Sequence, residues 1–277
     1  PPALAQLANP ETLFDEPGRG VDAWLSVDAN GDGVLDLLVS SSVPGSGLDP
    51  STLDLFPGDP AGGYGPPAEL LVRTFPIRDI LFEDLDGDGV GDLVTASSTG
   101  VEWMRSTAPG VFAAPVEIAF QPADLVLVGD IEGDGDLDVY VPFIGRVFYN
   151  DGAASFTSAL APSAFPFGGD VVLSDVDLDG ALDVVFERIS VSGTGIALYA
   201  GGGACRPGVQ ISDRTGPVAV GDVDRDGDPD VVIGDLSSND IDYLENLGSG
   251  TFATPVPVSP CAGSFRSNSL ALVDVDG

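Results

Sequence analysis

Short apolar stretches separated by acidic turns recur along this chain of 277 residues, always in one order. An apolar strand (LSV before Asp28, LVLVG before Asp130, VAVG before Asp222) runs into an Asp-rich segment. A second apolar strand (LLVSSS, LVTAS, VYVPF, VVFER, VVIGD) runs out of it. A turn and a third strand follow, with apolar residues at alternate positions: Leu53/Leu55, Val101/Trp103, Val147/Tyr149, Ile196/Leu198 and Ile241/Tyr243. That is the period of a half-buried strand. A fourth strand follows a Gly-aromatic or small-aromatic signal in GYGPPAELLV, GVFAAPVEI, ASFTSALA and GTFATPVPV, with GGGACRPGVQI in that place in the fourth unit. No stretch of helical period is long enough to predict a helix.

The complete acidic segments begin at Asp28, Asp84, Asp130, Asp175 and Asp222. They read DANGDGVLD, DLDGDGVGD, DIEGDGDLD, DVDLDGALD and DVDRDGDPD, and a sixth starts at Asp274 and stops at Gly277 as DVDG. The spacings of 56, 46, 45, 47 and 52 residues match a four-stranded propeller blade and far exceed the nonapeptide turn of a calcium β-roll. The predicted fold is therefore all-β, a β-propeller of four-stranded antiparallel blades in a single domain over residues 1–277. The repeats run approximately over 20–75, 76–120, 121–165, 166–215 and 216–262, with a partial blade from 11–19 and 263–277. Residues 11–15 read as a lone fourth strand and 269–277 as a first strand with half a loop. A closed ring is expected to need the rest of blade six, giving about six to seven blades in the complete protein.

Composition narrows the chemistry. The 44 Asp and Glu stand against 10 basic residues, all Arg, for a formal charge of −34, and there is no Lys or His. So acidic a surface repels phosphate backbones and anionic lipid, so no nucleic-acid partner is expected. No apolar run approaches the roughly 20 residues that span a bilayer, so direct membrane insertion is not expected. Without His or Lys the commonest general base, the Schiff-base amine and the usual zinc ligand are missing. A serine nucleophile loses its ordinary activator for the same reason. Carboxylates and hard cations remain.

The acidic segments suit calcium, which takes six to eight oxygens at about 2.3–2.6 Å from carboxylates, backbone carbonyls and water. Position one is Asp28, Asp84, Asp130, Asp175 or Asp222, and position three is Asn30, Asp86, Glu132, Asp177 or Asp224. Position five is Asp32, Asp88, Asp134, Asp179 or Asp226, and position nine is Asp36, Asp92, Asp138, Asp183 or Asp230. Position six is Gly33, Gly89, Gly135, Gly180 or Gly227, which permits the sharp turn. Position seven is expected to give a backbone carbonyl, which explains its tolerance for Val34, Val90, Asp136, Ala181 or Asp228. Asp136 and Asp228 also offer carboxylates for a second ion. Asp274 and Asp276 open the sixth loop. An EF-hand would need a bidentate Glu at position twelve, and Val39, Thr95, Val141, Phe186 and Ile233 stand there. About five calcium sites are expected, one per full repeat. Ordinary acidic turns are the alternative, and five repetitions of the same Asp and Gly positions argue against it.

On these loops the chain resembles the FG-GAP/VCBS repeat family over about residues 20–277, the calcium-loop blades of the integrin α-subunit propeller and of secreted bacterial proteins. The bacterial form is the nearer likeness. The resemblance implies a secreted or cell-surface, non-enzymatic scaffold for adhesion or ligand binding, with structural calcium. Its partner would be a protein or glycan on an extracellular surface, or further copies of the chain. Two other functions stay open. One is a carbohydrate-active propeller, either a lectin or a calcium-assisted polysaccharide lyase; the other is a structural subunit of a surface layer or filament. Cys205 and Cys261 are the only cysteines; in a secreted protein they are expected to form a disulfide, and two buried thiols are the alternative. Trp24, Trp103, Tyr64, Tyr140, Tyr149, Tyr199 and Tyr243 lie mostly in strand patterns and are read as packing residues. Arg225 sits at a variable loop position and is expected to face solvent.

Overall fold

The computed structural model describes residues 19–43, 51–160, 170–190, 193–199, 201, 209–235, 240–258 and 270–272. Residues 11–15, Cys205, Cys261, Asp274 and Asp276 lie outside the described residues. The chain falls into two compact units, Pro1–Val126 and Leu127–Gly277.

In the first unit β1 (Gly20–Val27), β2 (Asp36–Ser42), β3 (Ser51–Phe56) and β4 (Ala68–Arg73) hydrogen-bond in chain order. Next come β5 (Ile77–Glu83), β6 (Asp92–Ser97) and β7 (Gly100–Met104), a ribbon of β8 (Ser106–Ala108) with β9 (Val111–Phe112), and β10 (Val116–Ala119). The second sheet runs β5-β6-β7-β10. The second unit holds three sheets. They comprise β11 (Leu127–Gly129), β12 (Asp138–Val141), β13 (Arg146–Asn150) and β14 (Phe156–Leu160), then β15 (Val171–Ser174), β16 (Asp183–Ser190), β17 (Gly193–Tyr199) and β18 (Val209–Ser212). The last comprises β19 (Val218–Gly221), β20 (Asp230–Asp235), β21 (Asp240–Leu244) and β22 (Val256–Pro257). All five are antiparallel with each second strand inside its sheet, as the repeat predicts.

Within each unit the core lies between successive sheets. In the first unit Leu38, Leu53 and Leu55 meet Ile77, Ile80 and Leu93 in one buried cluster. Alternate residues of a strand face opposite ways, and β16 uses both faces. Val184 and Phe186 join Tyr140 and Val147 of the third sheet and Ile131 of its acidic loop, and Val185 joins Val218, Val231 and Ile233 of the fifth sheet. A strand covered on both faces needs apolar residues throughout. Every residue of β6 and of β12 is buried, the polar Asp92, Thr95 and Ser97 of β6 included.

The third strands largely follow the predicted alternation: Leu53, Leu55, Val101, Val147, Ile196 and Leu198 are all buried. β21 departs from it. Asp242 and Leu244 are buried there, and Ile241 and Tyr243 are half-buried. Arg214 Nε stands 3.1 Å from Asp242 Oδ2 and supplies the buried carboxylate with a charge partner. The aromatic residues divide. Tyr140 is fully buried, whereas Trp24 is 67% exposed on β1, against the packing role read from its strand.

Candidate metal centres

Each acidic segment is the loop of a hairpin with a fixed register. The residue before position one pairs with position nine five times over, as Val27↔Asp36, Glu83↔Asp92, Gly129↔Asp138, Ser174↔Asp183 and Gly221↔Asp230. The position-nine aspartates are fully buried, at 0% exposure in every copy, and each works as a clamp. One carboxylate oxygen accepts the amide of position two: Ala29 at 3.0 Å, Ile131, Val176 and Val223 at 2.9 Å; Leu85 donates in loop two. The other accepts an amide from the end of the third strand or just beyond it: Gly58, Ser106 and Gly201 at 2.7 Å, Asn150 and Asn246 at 2.9 Å. One side chain thus ties the loop to the chain leaving the third strand, which the antiparallel register returns to the same end of the sheet.

The small-aromatic signal has its cause at the same point. The clamp donor pairs across a turn with the aromatic six residues on, as Gly58↔Tyr64, Ser106↔Phe112, Asn150↔Phe156 and Asn246↔Phe252. In the second sheet the aromatic signal and the fourth strand that follows it are separate elements. Val111–Phe112 forms the separate ribbon β9, and only Val116–Ala119 pairs with β7. Two polar aromatics also reach the clamp from equivalent places on the third strand, Trp103 opposite Val94 and Tyr243 opposite Val232. Trp103 Nε1 donates to Asp92 Oδ2 at 2.9 Å, and Tyr243 lies beside Asp230. Burial, with the neighbouring carboxylates, pushes the Tyr243 phenol well up.

The loop itself is wound around position one. Its two oxygens accept the amides of positions five and six, as in Asp32 and Gly33 onto Asp28 at 3.1 and 2.8 Å, and Asp134 and Gly135 onto Asp130 at 3.0 and 2.9 Å. The position-six glycines have φ between 85° and 99°, the left-handed region that favours glycine. Position five caps the amide of position seven at 2.8–3.0 Å in all five loops.

Three loops bring positions one, three and nine together. Oxygens of Asp84, Asp86 and Asp92 lie within 4.8 Å of one another, as do those of Asp175, Asp177 and Asp183, and of Asp222, Asp224 and Asp230. Two oxygens on one calcium ion stand at most about 5.2 Å apart, so this donor set fits that ion. In loop one the third group is the Asn30 amide, whose Nδ2 donates to Asp36 Oδ1 at 3.2 Å. In loop three it is Glu132, whose carboxyl is raised by burial and by Asp138, Asp134 and Asp130 around it. Burial likewise raises Asp92, Asp138 and Asp183. Position five is no member of these trios, so the nearest oxygens come from one, three and nine.

Position four escaped the sequence reading. Gly31, Gly87 and Gly133 adopt φ of 73°, 70° and 76° there, but Leu178 and Arg225 are held at 59° and 67°. A left-handed non-glycine residue costs about 1–2 kcal/mol, less the entropy that glycine restores to the unfolded chain. Leu178 is 55% exposed and loses little packing on truncation. Leu178→Gly is therefore expected to stabilise the chain by about 0.5–1 kcal/mol, read as an upward shift of the denaturant midpoint. A downward shift would show that the leucine side chain holds the loop.

Sheet topology, inter-sheet cores and repeated acidic hairpins define an all-β fold of propeller-type blades carrying candidate cation loops. The chain carries FG-GAP-like repeats: the model of that family matches residues 84–141, which span the acidic loops at Asp84 and Asp130, and residues 222–277, which span the one at Asp222. No curated protein matches the chain in sequence. Among solved structures it is similar to an Agrocybe aegerita lectin described by its recognition of non-reducing terminal N-acetylglucosamine. Identity is 18% and the TM-score 0.61, over 89% of this chain and 67% of the lectin. It is also similar to the rhamnogalacturonan lyase of Bacillus licheniformis, with 14% identity and a TM-score of 0.53 over 86% of this chain and 51% of that one. These likenesses show the fold. No helix among the described residues is long and apolar enough to cross a membrane.

Proposed function

We propose that the chain is a calcium-stabilised, non-enzymatic binding module of a secreted or cell-surface protein, and that it presents its surface to a glycan or protein ligand. The observation that carries this reading is the fivefold repetition of one hydrogen-bonded acidic loop. Positions one, three and nine would hold the ion, joined by the position-five carboxylate and the position-seven carbonyl. Calcium would supply charge neutralisation to carboxylates that burial and mutual repulsion otherwise penalise. A clamp that already stitches each blade together is a place where an ion strengthens structure, so the metal is assigned a structural role.

The ligand side of the reading is supported by the lectin of similar fold and by the exposed indole of Trp24, since an aromatic face stacks on apolar sugar faces. Native mass spectrometry in calcium tests the metal: about five ions per chain are expected, removed by chelator. A glycan panel tests the ligand, with binding lost in Trp24→Ala. A chain that carries no calcium ends the metal reading, and an unresponsive panel with a positive protein screen selects a protein partner.

A further inference from the structure

Loop two carries a basic side chain at a place where no other loop has one. Arg105 stands immediately before Ser106, whose amide donates to the Asp92 clamp. Before the equivalent clamp donors the sequence has Pro57, Tyr149, Ala200 and Glu245. The guanidinium of Arg105 lies across the mouth of loop two. Its Nη2 donates to Asp88 Oδ2 at 2.9 Å and its Nε pairs with the Asp86 carboxylate. It therefore engages positions three and five at once, and Asp86 belongs to the oxygen trio that fits a cation. The Arg105 side chain is half exposed, so it is free to swing into solvent when something stronger takes its place.

Resting on the calcium reading above, we infer that Arg105 is a built-in counter-cation that competes with divalent ions for loop two. Loop two fills last as calcium rises and keeps its shape when calcium falls. The four acidic groups of this loop, Asp84, Asp86, Asp88 and Asp92, already share one positive charge, whereas the fifth loop has Glu245 where Arg105 stands. One unit charge removed from a solvent-exposed site a few ångströms from the ion changes its affinity by about fivefold. The same geometry explains why chain entropy does not cancel the pairing: a planar guanidinium meets two carboxylates through separate N–H groups.

Trp103 makes loop two separately observable, because its indole is hydrogen-bonded to Asp92. Terbium replaces calcium at oxygen sites and emits when a nearby indole is excited. In a Trp24→Phe background Trp103 is the only tryptophan, and sensitised emission reports loop two. Arg105→Gln is expected to reach half-maximal emission at about fivefold lower terbium. Glu245→Arg is the reciprocal variant and should lower the calcium count by one at limiting calcium in native mass spectrometry. An unchanged or weakened terbium curve in Arg105→Gln, with ions still counted on the other loops, overturns this inference alone. If no ions bind to any variant, the calcium reading falls with it. Should Arg105→Gln fail to fold by circular dichroism, the Glu245→Arg ion count decides: an undiminished count overturns the inference.

Discussion

Asp138→Ala is expected to destabilise the chain by about 3–5 kcal/mol even in excess chelator, when no ion is at stake. The carboxylate is fully buried and accepts Ile131 and Asn150 amides, each at 2.9 Å. Alanine leaves both donors in a site that water cannot reach, at about 1–3 kcal/mol for each orphaned group, and it opens a small cavity as well. Asp138→Asn keeps the shape but turns an NH2 toward one of the donors, so it should recover only part of the loss. Asp134→Ala is the control. Asp134 is exposed and caps one amide, that of Asp136 at 3.0 Å, which is worth about 1 kcal/mol. Denaturant midpoints of the three variants in chelator decide the matter. If Asp138→Ala is no worse than Asp134→Ala under those conditions, position nine is a ligand only and the clamp contributes nothing.

That distinction marks the boundary of what the sequence discloses. Blade order, strand register and loop position are legible because the Asp and Gly spacing repeats, and a repeat filters out coincidence. Position nine is an aspartate in every copy whether it binds a metal or two amides, so Asp36, Asp92, Asp138, Asp183 and Asp230 look alike under either role. Only the register shows that the third strand ends beside them, so that each meets its own loop and the chain leaving that strand. The left-handed position four is hidden because Leu178 and Arg225 break the glycine pattern at Gly31, Gly87 and Gly133. In β21 the apolar residues Ile241 and Tyr243 promise a buried face, yet Asp242 takes it because Arg214 from another strand connection meets it there. Arg105 is unreadable for the same reason: its partners Asp86 and Asp88 lie across a hairpin, at a distance in sequence that no local pattern encodes.

Chelation is expected to produce the largest change in the intact chain. At calcium about tenfold above the dissociation constant each site contributes about 1.4 kcal/mol by mass action, and at equal concentration about 0.4 kcal/mol. Five sites then add about 2–7 kcal/mol, a large share of a typical net stability of 5–15 kcal/mol. The melting temperature should fall by roughly 3–12 °C on moving from millimolar calcium to excess chelator. The pH dependence of the chelated protein follows from the buried clamps. Asp92, Asp138 and Asp183 have folded pKa values raised by burial, so the folded state holds their protons more tightly than the unfolded state. Their contribution is favourable below the folded pKa and is lost as pH rises through it. The chelated chain is therefore expected to melt higher at mildly acidic pH than at neutral pH, and the calcium-loaded chain to melt lower, since the ion requires the deprotonated ligands. The two melting curves against pH should converge toward acid. Parallel curves at every pH would mean that the ions sit elsewhere on this acidic surface and that the loops are held by hydrogen bonds alone.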